Sequence, residues 1–188
     1  MIGWLQGTIR ELDPAGGILL DVNGIGYEVA VSMQTLCTLK NGAVAELFIH
    51  THVREDQLAL FGFSSARERA VFRKLTGVSG IGARMAMNIL SGMSVEELLT
   101  AIDAADDVAI ARTPGIGKKT AQRLILELKG KLVEGGDASP AAGSVLADVR
   151  SALLNLGYKP VQVDAVLKGI EQSGNLETMF RAAMKALA

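Results

Sequence analysis

Val78-Ser-Gly80-Ile-Gly82-Ala-Arg84-Met-Ala86 is followed, 35 residues on, by Thr113-Pro-Gly115-Ile-Gly117-Lys118-Lys119-Thr-Ala121. Each copy runs from the apolar end of one helical pattern through Gly-Ile-Gly directly into a second. That is the pattern of a helix-hairpin-helix, twice. The glycines can take positive φ and leave no side chain between backbone and ligand. The hairpin amides and the first turn of the next helix then point outward together. They form an anion site reinforced by the helix dipole, for which a phosphate oxygen is the natural guest. Ile81 and Ile116 are expected to anchor the turns in the core. Arg84, Lys118 and Lys119 fall in the first turn of the second helix, where a cation opposes the dipole and gains most by facing a phosphate. Arg123 lies one turn beyond Lys119. Contacts of this kind carry no base information, so the expected binding is sequence-neutral and salt-dependent.

Outward from the repeat, residues 64–133 read as helical throughout. Ser65-Ala-Arg-Glu68 and Ser94-Val-Glu-Glu97 both have capping-box form. The helical period persists to about Leu132. Residues 1–63 read instead as about five short strands. Ile18-Leu-Leu-Asp-Val22 leads into Asn23-Gly24, a two-residue hairpin signal. Tyr27, Val29 and Val31 alternate with polar or small residues, as do Leu47, Ile49 and Val53, and Leu58-Ala-Leu-Phe-Gly-Phe63 closes the segment. An OB-like barrel fits that length best. Residues 134–143, rich in Gly, Ala, Ser and Pro, read as a flexible linker. In residues 144–188, Leu146, Val149, Leu153 and Leu156 recur at helical spacing, Gly157 stops that helix and Pro160 restarts the chain. Two further helices are expected near 161–172 and 175–187. The fold class expected is α+β and multidomain: barrel, all-α double hairpin, and a three-helix, UBA-like unit.

Composition narrows the function. The net charge is −1, with 21% charged and 4% aromatic residues, which argues against a large aromatic-lined pocket. The charge is unevenly spread: 3 Lys/Arg against 7 Asp/Glu over residues 1–63, then 11 against 7 over residues 64–133. An acidic segment beside a basic one presents opposite fields. The lone Cys37 cannot form an internal disulfide, and no stretch reads as a signal peptide or spanning helix, so a cytoplasmic home and no membrane contact are expected.

Beyond the hairpins, the whole chain resembles the RuvA family of Holliday junction branch migration subunits. The resemblance rests on the opening Met1-Ile-Gly, Gly24-Ile-Gly-Tyr-Glu-Val29, Val53-Arg-Glu-Asp56, Phe61-Gly-Phe63, Leu90-Ser-Gly-Met-Ser94, Pro114-Gly-Ile-Gly-Lys-Lys-Thr-Ala121 and Leu156-Gly-Tyr-Lys-Pro160. It implies a non-catalytic subunit without cofactor or metal that binds four-way junction DNA as a homotetramer, or an octamer of paired tetramers. It implies RuvB, a hexameric ATPase, and the RuvC resolvase as partners. It places an acidic pin at Glu55 and Asp56, where repulsion of phosphates would keep the junction centre open. It also places the motor contact in the third segment, on Leu154, Leu156 and Tyr158. Gln57 and Phe61 depart from residues common in the family.

Other chemistries fit less well. Gly115-Ile-Gly-Lys-Lys-Thr120 is not a P-loop, since position 112 is Arg and Lys119 stands where Ser or Thr is needed. His50 and His52 share a strand face without an evident third metal ligand. Trp4 is expected in the barrel core or an interface. A helix-hairpin-helix glycosylase would need a catalytic Asp, for which Asp103 and Asp137 have roughly the spacing, and a deep pocket for a flipped base. A single-strand binder would need aromatic platforms and a basic groove on the barrel, which is acidic and aromatic-poor.

Overall fold

The computed structural model describes residues 1–129, 145–169 and 175–187. The chain divides into two compact units, Met1–Asp137 and Ala138–Ala188.

The first unit opens with five strands: β1 (Trp4–Asp13), β2 (Gly17–Val22), β3 (Ile25–Val31), β4 (Val44–Val53) and β5 (Leu58–Phe63). They close in the order β1-β2-β3-β5-β4, with β3 and β5 parallel and the remaining pairs antiparallel. This is an OB-type barrel. Asn23 and Gly24 turn the β2–β3 hairpin at φ 52° and 86°, and the Asp21 carboxylate accepts from the Gly24 amide. Alternate residues point inward, so Leu5, Ile9, Ile18, Leu20, Val29, Leu47, Ile49 and Leu60 fill the interior. Trp4 is not among them. It is about half exposed at the start of β1, opposite Phe48, and so lies outside the barrel core.

A short helix, α1 (Met33–Thr38), joins β3 to β4, capped by Ser32. The alternation of the flanking strands hides it in the sequence. After β5 come α2 (Ala66–Thr76), α3 (Ala83–Gly92), α4 (Val95–Asp103), α5 (Asp107–Ala111) and α6 (Lys118–Leu128). The end of the helical period read to about Leu132 lies outside the described residues. Their core includes Phe72, Leu75, Ile89, Leu98, Ile102, Ile110 and Leu124, and Phe63 of the barrel belongs to it as well. Truncating one of these to Ala removes about 2–5 kcal/mol.

The two Ser-x-x-Glu signatures differ in outcome. Ser94 and Glu97 form the full reciprocal box. Ser65 caps α2, but the buried Glu68 carboxylate turns away from it. It accepts from the Ser64 amide and hydroxyl at 3.0 Å each, from Ser32 Oγ at 2.8 Å and from Thr35 Oγ1 at 3.2 Å. Glu68 therefore ties α1 to the start of α2. On the next residue, Arg69 Nη1 donates to the Gly3 carbonyl at 2.6 Å, and its guanidinium lies over the Phe48 ring. Adjacent residues of α2 thus fasten the helical domain to two different places on the barrel.

The second unit contains, among the described residues, α7 (Val145–Asn155), α8 (Pro160–Gly169) and α9 (Leu176–Leu187). Gly157 at φ +92° ends α7, and Pro160 opens α8. Val149, Leu153, Val163, Leu167, Met179 and Ala183 form its core. The segment read as a linker, residues 134–143, lies outside the described residues, as does Asp137. No helix of the described residues is long and apolar enough to cross a membrane.

Candidate nucleic-acid interface

The two hairpins have the same local geometry. Gly80 and Gly115 sit at φ +88° and +90°. The Ile81 amide donates to the Val78 carbonyl and the Ile116 amide to the Thr113 carbonyl, each at 3.0 Å. Ile81 and Ile116 are buried, whereas the four glycines around them are exposed. Only the first glycine of each pair uses the left-handed region. Gly82 and Gly117, expected to share that freedom, are extended at φ −83° and −87° as the N-caps of α3 and α6. Any residue adopts that conformation, and a Cβ added at either position would meet nothing within 4 Å. Nothing inside the protein therefore demands glycine at 82 or 117.

The caps set these two helices apart. In the same unit α1, α2, α4 and α5 begin on Ser32, Ser65, Ser94 and Asp106, whose side chains each accept a first-turn amide. Helices α3 and α6 have no side-chain cap and no acidic residue in the first turn. A glycine cap in place of Ser or Asp forgoes roughly a few tenths of a kcal/mol. Both helices instead carry cations there: Arg84 in α3, Lys118 and Lys119 in α6, all exposed. These charges oppose the helix dipole. Uncapped amides and unfavourably placed cations thus coincide at both hairpins.

Arg123 joins the two copies. Its Nη1 donates across to the Ser79 carbonyl in the first hairpin at 3.4 Å, so the hairpins are neighbours. The sequence marked Arg123 only as an extension of the second hairpin.

Glu55 and Asp56 occupy the tip between β4 and β5, closed by the Arg54 amide donating to the Gln57 carbonyl at 2.8 Å. Both are exposed. In the second unit Leu154 and Tyr158 pack partly buried on the core, while Leu156 is exposed. Asp103 is exposed at the last residue of α4. Among the described residues no group of three or more His, Cys, Asp or Glu could hold a metal ion.

An OB-type barrel fused to a tandem helix-hairpin-helix, with a separate three-helix unit, defines the class of this protein. Family models match in the same order: the RuvA N-terminal domain over residues 1–62, the SAM-like helix-hairpin-helix tandem over residues 72–131, and the RuvA C-terminal domain over residues 144–188. The chain is 48% identical over 190 residues to the Holliday junction branch migration complex subunit RuvA of Bordetella avium, covering all of both chains. It is 47% identical over 189 residues to that of Bordetella parapertussis, covering all of this chain and 99% of the relative. It is 42% identical over 198 residues to that of Acidobacterium capsulatum, again covering both in full. The chain belongs to the RuvA family.

Proposed function

We propose that this protein is a non-catalytic subunit that binds four-way junction DNA, holds it open and targets the RuvB ATPase to it for branch migration in recombination and repair. The observation that carries the reading is the pair of uncapped, cation-bearing Gly-Ile-Gly hairpins set side by side. Glycine at 82 and 117 is unexplained by the protein's own packing and is explained by a backbone approaching from outside. Bare amides of the hairpins and of the first turns of α3 and α6 receive phosphate oxygens, with Gly80, Gly82, Gly115 and Gly117 keeping the approach clear. Arg84, Lys118, Lys119 and Arg123 add charge. Such contacts hold the duplex without reading its sequence.

Glu55 and Asp56 act as the acidic pin. They repel phosphates at the point of strand exchange and so keep strands moving between arms. A homotetramer, singly or as two stacked tetramers, supplies one subunit per arm. The three-helix unit over residues 144–188 meets the motor through Leu154, Leu156 and Tyr158, with Leu156 the member free to enter a partner. RuvC resolvase is a further partner, and the cytoplasm is the setting. ATP hydrolysis belongs to RuvB.

Competition among a synthetic four-way junction, linear duplex and single strand tests the reading. The junction should win, with steep salt dependence. Preference for single strand, or base excision from damaged duplex, would reject it.

A further inference from the structure

Between the first hairpin and the acidic tip lies a cluster of arginines and imidazoles to which neither the fold nor the hairpins assign a role. His50, His52 and Arg54 alternate along β4 and lead to Glu55 and Asp56. The His50 and His52 rings are 6.3 Å apart, and both lie against Phe61. Arg54 Nε donates to His52 Nε2 at 3.0 Å. From α2, Phe72 packs on His50 at 5.3 Å, and the charge of Arg73 reaches the same imidazole. Arg73 is exposed in the last turn of α2, immediately before the first hairpin.

Two observations separate this cluster from an ordinary solvated surface. The first is the lack of counter-charge. The salt bridges among the described residues are Arg10–Asp21, Arg67–Glu96, Arg150–Asp164 and Arg181–Glu177, and none involves Arg54, Arg69 or Arg73. The second is mutual repulsion. Burial, followed by Arg73, His52 and Arg69, pushes His50 below the usual histidine value, and burial with Arg73 lowers Arg69. The last-turn position of Arg73 suits the dipole of α2. That accounts for a cation on the helix end but not for several converging from two elements.

We propose that Arg73, His50, His52 and Arg54 form a second phosphate-binding track, which takes the DNA strand leaving the first hairpin and delivers it to the acidic tip. The ligand is a phosphodiester backbone. An arriving phosphate supplies the counter-charge that Arg54 and Arg73 lack and accepts from the imidazole N–H groups, and the track ends where Glu55 and Asp56 turn the strand aside. A linear duplex on the hairpins has no strand running that way, so the track serves only branched DNA. The proposal rests on the junction-binding reading above.

The test uses the full-length chain carrying Arg73→Gln and His52→Gln together. The probes are a four-way junction, the same junction with uncharged methylphosphonates flanking the crossover, and linear duplex. The expected result is junction binding weakened about three- to tenfold at moderate salt, with a salt slope shallower by roughly 1. Duplex affinity should stay unchanged, and the difference from wild type should vanish on the methylphosphonate junction. Unchanged junction affinity and slope, or an equal loss on duplex, would overturn the track. If the wild-type chain itself does not prefer the junction, the functional reading fails and the track with it. If the variant alone keeps the full preference, only the track fails.

Discussion

At Gly115 the backbone sits at φ +90°, where an L side chain is strained, whereas two residues on Gly117 is extended and strain-free. The two positions therefore respond differently to the same change. Gly115→Ala should destabilise the fold by about 1 kcal/mol, visible as a lower Tm. Gly117→Ala should leave Tm within the equivalent of about 0.5 kcal/mol yet weaken DNA binding, because its Cβ enters open space that a phosphate would occupy. Denaturation and junction titration on the same two variants separate the roles. Equal binding losses with equal Tm losses would return both glycines to a purely structural part.

The hairpins are the elements the sequence disclosed best, because a 35-residue repeat of Gly-Ile-Gly is a local signal that needs no tertiary context. The Asn23-Gly24 turn and the Gly157 stop were legible for the same reason: each is a turn residue at the break between two periodic runs, a signal that is local. The positive φ expected at Gly82 and Gly117 was not, since the residue type permits more than one region and only the cap position decides. Glu68 was misjudged as the reciprocal half of a box, because its carboxylate is taken by Ser32, Thr35 and Ser64, two of them far away in sequence. Removing that buried carboxylate by Glu68→Ala leaves several donors unsatisfied and should destabilise by about 2–4 kcal/mol in chemical denaturation. The His50 strand face carries a pH signature as well. Its folded-state value lies below the ordinary 6.5, so its contribution to stability is complete above that value and is lost as pH falls through it. Between about pH 7.5 and pH 5.5 the wild-type Tm should drop more than that of His50→Phe; parallel curves would contradict this.

At the scale of the whole molecule, the barrel and the hairpin domain carry opposite charge and are fastened together through Glu68 and Arg69. Fixing that geometry sets the acidic tip relative to the two hairpins, as the proposed division between a repelling tip and phosphate-binding hairpins requires. Neutralising the tip with Glu55→Gln and Asp56→Asn should keep or strengthen junction binding while altering branch migration. A clear loss of affinity would remove the repulsive role. Replacing Lys118 and Lys119 by Ala should lower the salt slope by roughly 2, against roughly 1 for Arg84→Ala, because the second hairpin carries the extra cation. The small second unit is the part least determined by local signals. The sequence placed its helices, but which of Leu154, Leu156 and Tyr158 stays outside the core depends on how three helices meet.

Among the described residues, four helices of the first unit start on a residue that seals its own end, and the two that start on glycine leave their first-turn amides without a side-chain acceptor. A designer seeking a tougher protein would place Ser at 82 and 117. Each change should raise the melting point by engaging the idle amides, and each should make the protein worse at holding DNA by occupying the donors a phosphate needs. On the proposed reading, heat resistance and grip are opposed at these two positions.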